Sequence, residues 1–146
     1  MSKQSVLILC TGNSARSQMA EGLLRHMAGD RFDVASAGTM PSSVRPEAIQ
    51  AMQEIGISLE GHRSKSADEF VGKPIDYVIT VCDNAKESCP IFPGQSTRMH
   101  WRFEDPPPAS EGTEEERLAI FRTVRDQMKA RFASELESGA FASARN

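Results

Sequence analysis

Residues Ser5-Val-Leu-Ile-Leu-Cys10 form an apolar run that leads directly into Thr11-Gly-Asn-Ser-Ala and then Arg16-Ser17. The run is short and rich in branched side chains, which suits a strand buried on both faces of a parallel sheet. From about Arg16 to Met27 the pattern turns helical, with Met19, Leu23 and Met27 at spacing four and Gly29 behind them as a stop. A buried strand, a short glycine-containing loop and a helix make one βα unit, and that unit constrains the chain to an α/β layout.

The rest of the chain continues the alternation. Phe32 to Ala37 reads as a second strand, and Pro46 to Ile55 as a second helix, with proline in its first turn and Gly56 after its last. Ile75 to Val81 has high β propensity, and Thr97 to Phe103 is a weaker fourth strand. Thr113-Glu-Glu-Glu116 is a capping box that opens a last helix, whose apolar face is Leu118, Phe121, Val124, Met128, Phe132 and Leu136. These elements predict a three-layer αβα sandwich on a four-stranded, mostly parallel sheet with right-handed crossovers. Sites in such sheets lie at the carboxyl ends of the strands. No linker or repeat interrupts the 146 residues, so 1–140 is expected to be one domain and 141–146 a frayed tail.

Charge narrows the function. Seventeen Lys plus Arg against twenty Asp plus Glu give a net charge of −3, which provides no sequence-wide field for nucleic acid or an anionic membrane. Any anion site must be local. The early apolar run falls well short of the ~20 residues of a spanning helix and of a secretory h-region of ~7 to 15 residues, so a cytoplasmic protein is expected. A monomer is expected too, since no apolar helix face is left unpaired. Three cysteines are too few, and odd in number, for a secreted disulfide framework, and in a reducing compartment they point to metal binding or chemistry.

The loop after the first strand can be such a local anion site. A short loop around a tetrahedral oxyanion aims successive amides inward, Gly12 and Asn13 can take unusual dihedrals, and the helix behind adds positive potential. Thr11, Gly12, Asn13, Ser14, Ala15, Arg16 and Ser17 are therefore the candidate substrate-binding residues. The same field favours Cys10 as a thiolate nucleophile, Ser17 can donate to its sulfur, and Arg16 can grip two oxygens with its planar fork. The plainer alternative is a strand-end core cysteine with a solvated arginine. No Gly-Lys-Ser/Thr follows the loop, which excludes a Walker nucleotide site.

Cys82 closes the third strand and Cys89 follows seven residues later. Seven residues of continuous helix rise about 10.5 Å, whereas a disulfide needs Cα atoms within about 7 Å, so this pair can bond only if the segment loops or unwinds. The spacing does not fit a zinc site, and no metal is expected. One thiol that attacks substrate, a second that attacks the first and a third that resolves the second are the minimum for passing two electrons to a bound oxyanion. Asp105, in Glu104-Asp-Pro-Pro-Pro108, is the candidate general acid, with Glu104 its nearest competitor; an aspartate before proline is also a common turn residue.

In combination these features closely resemble the arsenate reductases that share the low-molecular-weight protein tyrosine phosphatase fold and draw electrons from thioredoxin. The likeness spans almost the whole chain: Cys10 to Glu21, Ser36-Ala-Gly38, Cys82 with Cys89-Pro90, His100-Trp101 with Asp105-Pro106, and Gly112 to Glu116. It implies a four-stranded parallel sheet flanked by helices and reduction of arsenate to arsenite with no cofactor. It also implies catalytic roles for Cys10, Cys82, Cys89, Arg16 and Asp105, in which Cys10 attacks arsenate, Cys82 then attacks Cys10, Cys89 attacks Cys82, and thioredoxin reduces the final Cys82 to Cys89 disulfide. Glutaredoxin or a small thiol are the alternative reductants.

Two departures stand out. Position 15 is alanine, where the phosphatases and some of the reductases have another cysteine. Members that bind a structural potassium ion use oxygens at positions matching Asn13, Glu21 and Ser36, together with an aspartate where this chain has Lys65. The Lys65 ammonium is expected to replace the ion and pair with Glu21. Two rival readings remain. A phosphatase would have no use for Cys82 and Cys89, and the resemblance would then call for aromatic residues where Pro107 and Pro108 stand. A non-enzymatic oxyanion binder or thiol switch would have no use for Asp105.

Overall fold

The computed structural model describes residues 4–81, 96–103, 106 and 111–138. Four strands form one sheet: β1 (Gln4–Cys10), β2 (Phe32–Gly38), β3 (Tyr77–Thr80) and β4 (Thr97–His100). Three helices accompany them among the described residues: α1 (Arg16–Ala28), α2 (Pro46–Gln53) and α3 (Glu114–Ser138). The strand order is β2-β1-β3-β4, and every pairing is parallel.

The hydrophobic pattern explains the order. Val6 to Cys10 and all of β3 are buried in succession, as strands covered on both faces must be. At the edges, Asp33 of β2 and Arg98 of β4 are exposed. The chain leaves β1 for β2 on one side and then crosses to β3 on the other. The sheet's connections therefore part at the carboxyl ends of β1 and β3, where Cys10 stands and ligand sites of such sheets fall.

The helix ends follow local chemistry. In the capping box, the Thr113 amide donates to Glu116 Oε1 at 2.9 Å and the Glu116 amide to Thr113 Oγ1 at 3.1 Å. Gly56 takes φ +79°, and the amides of Gly56 and Ile57 close back on the carbonyls of Gln53 and Met52, a Schellman closure that ends α2. Leu118, Phe121, Val124, Met128 and Phe132 are buried along α3 as the periodicity requires, with Leu136 packed at the margin. Phe132 meets Trp101 edge-on, with ring centroids 5.4 Å apart. Two features lie outside the sequence pattern: a 3-10 turn over Ala67–Phe70, and the burial of Gln18 and Glu21 on α1.

α2 and α3 are joined through a buried carboxylate. Glu47 accepts from Arg45 Nη2 and from Arg117 Nε, each at 2.9 Å. Burial opposes ionisation of Glu47, but the two guanidinium groups outweigh it and hold the carboxyl below its usual range. No helix among the described residues is long and apolar enough to cross a membrane.

Two outcomes are expected. Phe132→Ala lowers the unfolding free energy in urea by about 3 to 5 kcal/mol, because the emptied site is walled by the sheet and cannot collapse. A depressed carboxyl contributes stability above its unfolded range and loses it as pH falls through its folded value. Glu47→Gln is therefore less stable than wild type by about 1 to 3 kcal/mol at neutral pH, and the gap closes on acidification.

Candidate active site

Cys10 is a free thiol at the last position of β1 and only 3% exposed. Its sulfur lies 2.8 Å from Ser17 Oγ and receives the Asn13 amide at 3.2 Å. Both contacts can donate to the sulfur, and hydrogen bonds to the charged form favour a thiolate. The loop that brings them there turns at Asn13, whose φ of +47° is the only positive value at a non-glycine residue among those described. The sequence reading assigned unusual dihedrals to Gly12 as well. Asn13 alone takes the left-handed conformation, because its short polar side chain can bond locally and offset the cost.

α1 begins inside the loop. Its N-cap, Ala15, has no side chain able to bond the first-turn amides, the arrangement in which an anion takes that role. Arg16 is 9% exposed, and its Nη1 donates to the Phe103 carbonyl at 3.2 Å, so the guanidinium is held at the loop rather than in solvent. Thr11 to Ser17 thus form one wrapped segment around the thiol.

Sequence reasoning did not find what holds this loop. The segment after β2 is laid along it, with Thr39, Met40, Ser42 and Arg45 amides donating to the carbonyls of Cys10, Thr11, Gly12 and Ser14. Ser64 Oγ donates to the Gly12 carbonyl at 2.8 Å. Gly38 is where β2 touches the loop: a Cβ there would lie 2.5 Å from the Thr11 carbonyl oxygen and 2.9 Å from the Asn13 amide. The Ser-Ala-Gly motif was visible in sequence, but its reason, a close backbone approach, is tertiary.

Behind the loop runs a buried polar network. Asn13 Nδ2 donates to Ser17 Oγ at 2.7 Å and Ser36 Oγ at 2.9 Å, while its Oδ1 accepts from Gln18 Nε2 and the Lys65 amide. Ser36 Oγ donates to Glu21 Oε1 at 2.6 Å. Glu21 is 4% exposed and faces Arg25 Nη2 at 2.7 Å, His62 Nε2 at 3.7 Å and Lys65 Nζ at 3.8 Å. Burial pushes both His62 and Lys65 toward their uncharged forms, against the pull of Glu21. The pairing of Lys65 with Glu21 matches the sequence expectation. A bound potassium ion does not fit these residues, because cationic side chains already meet both oxygens of the carboxylate.

Cys82, Cys89, Asp105 and Glu104 lie outside the described residues. Their chain neighbours are placed. The Val81 amide donates to the Leu9 carbonyl at 2.9 Å, and the Phe103 amide to the Val81 carbonyl at 3.3 Å. Both segments therefore reach the carboxyl edge where Cys10 stands. Among the described residues no cluster of histidine, cysteine, aspartate or glutamate could hold a metal ion.

A buried thiol with donors, a wrapped amide loop and a fixed arginine define a thiol-centred oxyanion site on a parallel α/β sheet. The chain belongs to the low molecular weight phosphotyrosine protein phosphatase family, whose model matches residues 5–138. An arsenate reductase of Halalkalibacterium halodurans is 45% identical over 139 residues, covering 95% of this chain and 99% of that protein. Among solved structures, an arsenate reductase in a phosphate-binding state is similar at 32% identity with a TM-score of 0.73, over 92% of this chain and 98% of its own. A thioredoxin-dependent arsenate reductase from Corynebacterium glutamicum is similar at 28% identity and a TM-score of 0.66, over 93% of this chain and 63% of its own.

Ser17→Ala is expected to slow capture of Cys10 by iodoacetamide at neutral pH about tenfold, the effect of losing one charge-assisted hydrogen bond. Mass spectrometry on a Cys82→Ser, Cys89→Ser background isolates the Cys10 rate.

Proposed function

We propose that this protein reduces arsenate to arsenite through a relay of Cys10, Cys82 and Cys89, with electrons from thioredoxin. The observation that carries the reading is the Cys10 sulfur held between Ser17 Oγ and the Asn13 amide, at the mouth of a loop built for a tetrahedral oxyanion. The family, and relatives that are arsenate reductases at 45% identity, support arsenate as the anion. The thioredoxin-dependent relative supports the reductant. The protein acts in the cytoplasm as a monomer.

The chemistry follows from the groups. The Cys10 thiolate attacks arsenic in arsenate bound by the loop amides and Arg16, and one arsenate oxygen leaves as water after Asp105 gives it a proton. The Cys82 thiolate then attacks Cys10 Sγ. The sulfur–arsenic bond breaks, its electron pair stays on arsenic, arsenite departs and a Cys10 to Cys82 disulfide remains. Cys89 attacks Cys82, which frees Cys10 as thiolate and leaves a Cys82 to Cys89 disulfide for the thioredoxin dithiol to reduce. Cys82 is bonded to Val81, which pairs with the residue before Cys10, so the chain path supports the first exchange. Because nucleophile and pocket are shared with phosphatases, slow hydrolysis of an aryl phosphate that needs Cys10 but neither Cys82 nor Cys89 is part of the reading.

The test is arsenate-dependent NADPH oxidation with thioredoxin and thioredoxin reductase. Cys10→Ser, Cys82→Ser and Cys89→Ser each abolish turnover, and the wild-type rate is the same in sodium and potassium salts. An enzyme that ignores arsenate and hydrolyses aryl phosphate with Cys10 alone overturns the proposal.

A further inference from the structure

The donors around Cys10 form a chain whose direction is set at its far end. Asn13 Oδ1 is committed to two donors, the Lys65 amide at 2.9 Å and Gln18 Nε2 at 3.0 Å, which turns Nδ2 toward Ser17 and Ser36. With an oxygen lone pair occupied by Asn13, each serine has its own O–H free for its other neighbour. Ser36 sends its proton to Glu21 Oε1 at 2.6 Å, and Ser17 directs its proton at the Cys10 sulfur 2.8 Å away. The scheme is consistent only while Glu21 is an acceptor, that is, ionised. A protonated Glu21 could donate to Ser36, reverse the hydroxyl and release Asn13 from its orientation.

Glu21 is buried, and an isolated buried carboxylate becomes neutral rather than remain charged. Arg25 meets Oε2. The oxygen that belongs to the chain, Oε1, is faced by the Lys65 ammonium at 3.8 Å, and that side chain is itself only 14% exposed. Glu21 and Arg25 from α1, with His62, Arg63 and Glu69 around the segment carrying Lys65, are the charged and titratable groups that act on it. His62 is tied through Nδ1 to Gln18 Oε1 at 3.0 Å, and burial favours its neutral form, which leaves Lys65 as the cation at Oε1.

We propose that Lys65 is a positioning residue: its ammonium is the built-in counter-ion that keeps Glu21 ionised and, through Ser36, Asn13 and Ser17, keeps a hydroxyl donor aimed at Cys10. Its backbone amide fixes the same asparagine from the other side, so one residue sets both ends of the Asn13 amide. The role concerns the thiol itself and stands apart from which oxyanion the site takes.

The experiment follows the rate of Cys10 capture by iodoacetamide against pH in the full chain, with Cys82 and Cys89 replaced by serine, so that arsenate turnover is not the readout. Lys65→Met, which keeps the length and removes the charge, is expected to slow capture at neutral pH about tenfold, as expected for loss of an oriented donor to a thiolate. Its pH profile moves toward higher pH, while Lys65→Arg stays close to the parent. In Lys65→Ala the space left beside Glu21 admits a small cation, and ammonium ion is expected to restore the rate in a saturable way that sodium does not match. A profile unchanged in Lys65→Met overturns the proposal. So does a slow Lys65→Ala that ammonium does not restore, which would mean that the side chain only fills space. Should Lys65→Met fail to fold by circular dichroism, the alanine and arginine variants decide.

Discussion

Asn13 carries more of the site than its size suggests. It is fully buried, adopts a left-handed backbone conformation, and has both polar atoms of its amide occupied by neighbours from α1, β2 and the Lys65 segment. Its own backbone amide bonds the Cys10 sulfur. A buried amide is stable only when its donors and acceptors are met, so the residue locks three parts of the chain into one arrangement. The nucleophile's surroundings are a consequence of that lock.

The energetics of the surroundings differ from those of the sheet. β1, β3 and α3 are held by apolar burial, which is non-directional and tolerates volume-conserving change. The loop, Ser36, Gln18 and Glu21 are held by directional bonds in a setting where an unmet partner is costly. Their ordering depends on the apolar frame being rigid first. Gly38 shows the coupling, because the strand end and the loop approach so closely that a methyl group has no room between them. A well-packed sheet therefore serves the chemistry by fixing where two backbones may meet.

The family framework and this chain's own residues divide in an informative way. The wrapped loop, the thiol and the arginine belong to a site that suits any tetrahedral oxyanion, whether the reaction that follows is hydrolysis or reduction. What separates the two is the presence of further thiols on the sheet's carboxyl edge, in segments whose described neighbours, Val81 and Phe103, are tied to Leu9 and to each other. The same fold can then serve different chemistry by what is attached beyond its strand ends.

Much of this was legible in the sequence. The buried run ending at Cys10, the glycine and asparagine loop, Arg16 and Ser17, the capping box at Thr113 and the apolar face from Leu118 to Phe132 each rest on local pattern or short-range chemistry, so they appear in one dimension. Strand order, the pairing of residues 39–45 with the loop, the burial of Gln18 and Glu21, and the restriction of the unusual dihedral to Asn13 were decided only by tertiary structure. Each joins residues far apart in the chain, as when Lys65 bonds Asn13 52 positions away. Local sequence specifies which elements form and which side chains can do chemistry. Packing of the sheet and helices decides which polar groups lose water, and a group without water must find its partner wherever the fold has placed one.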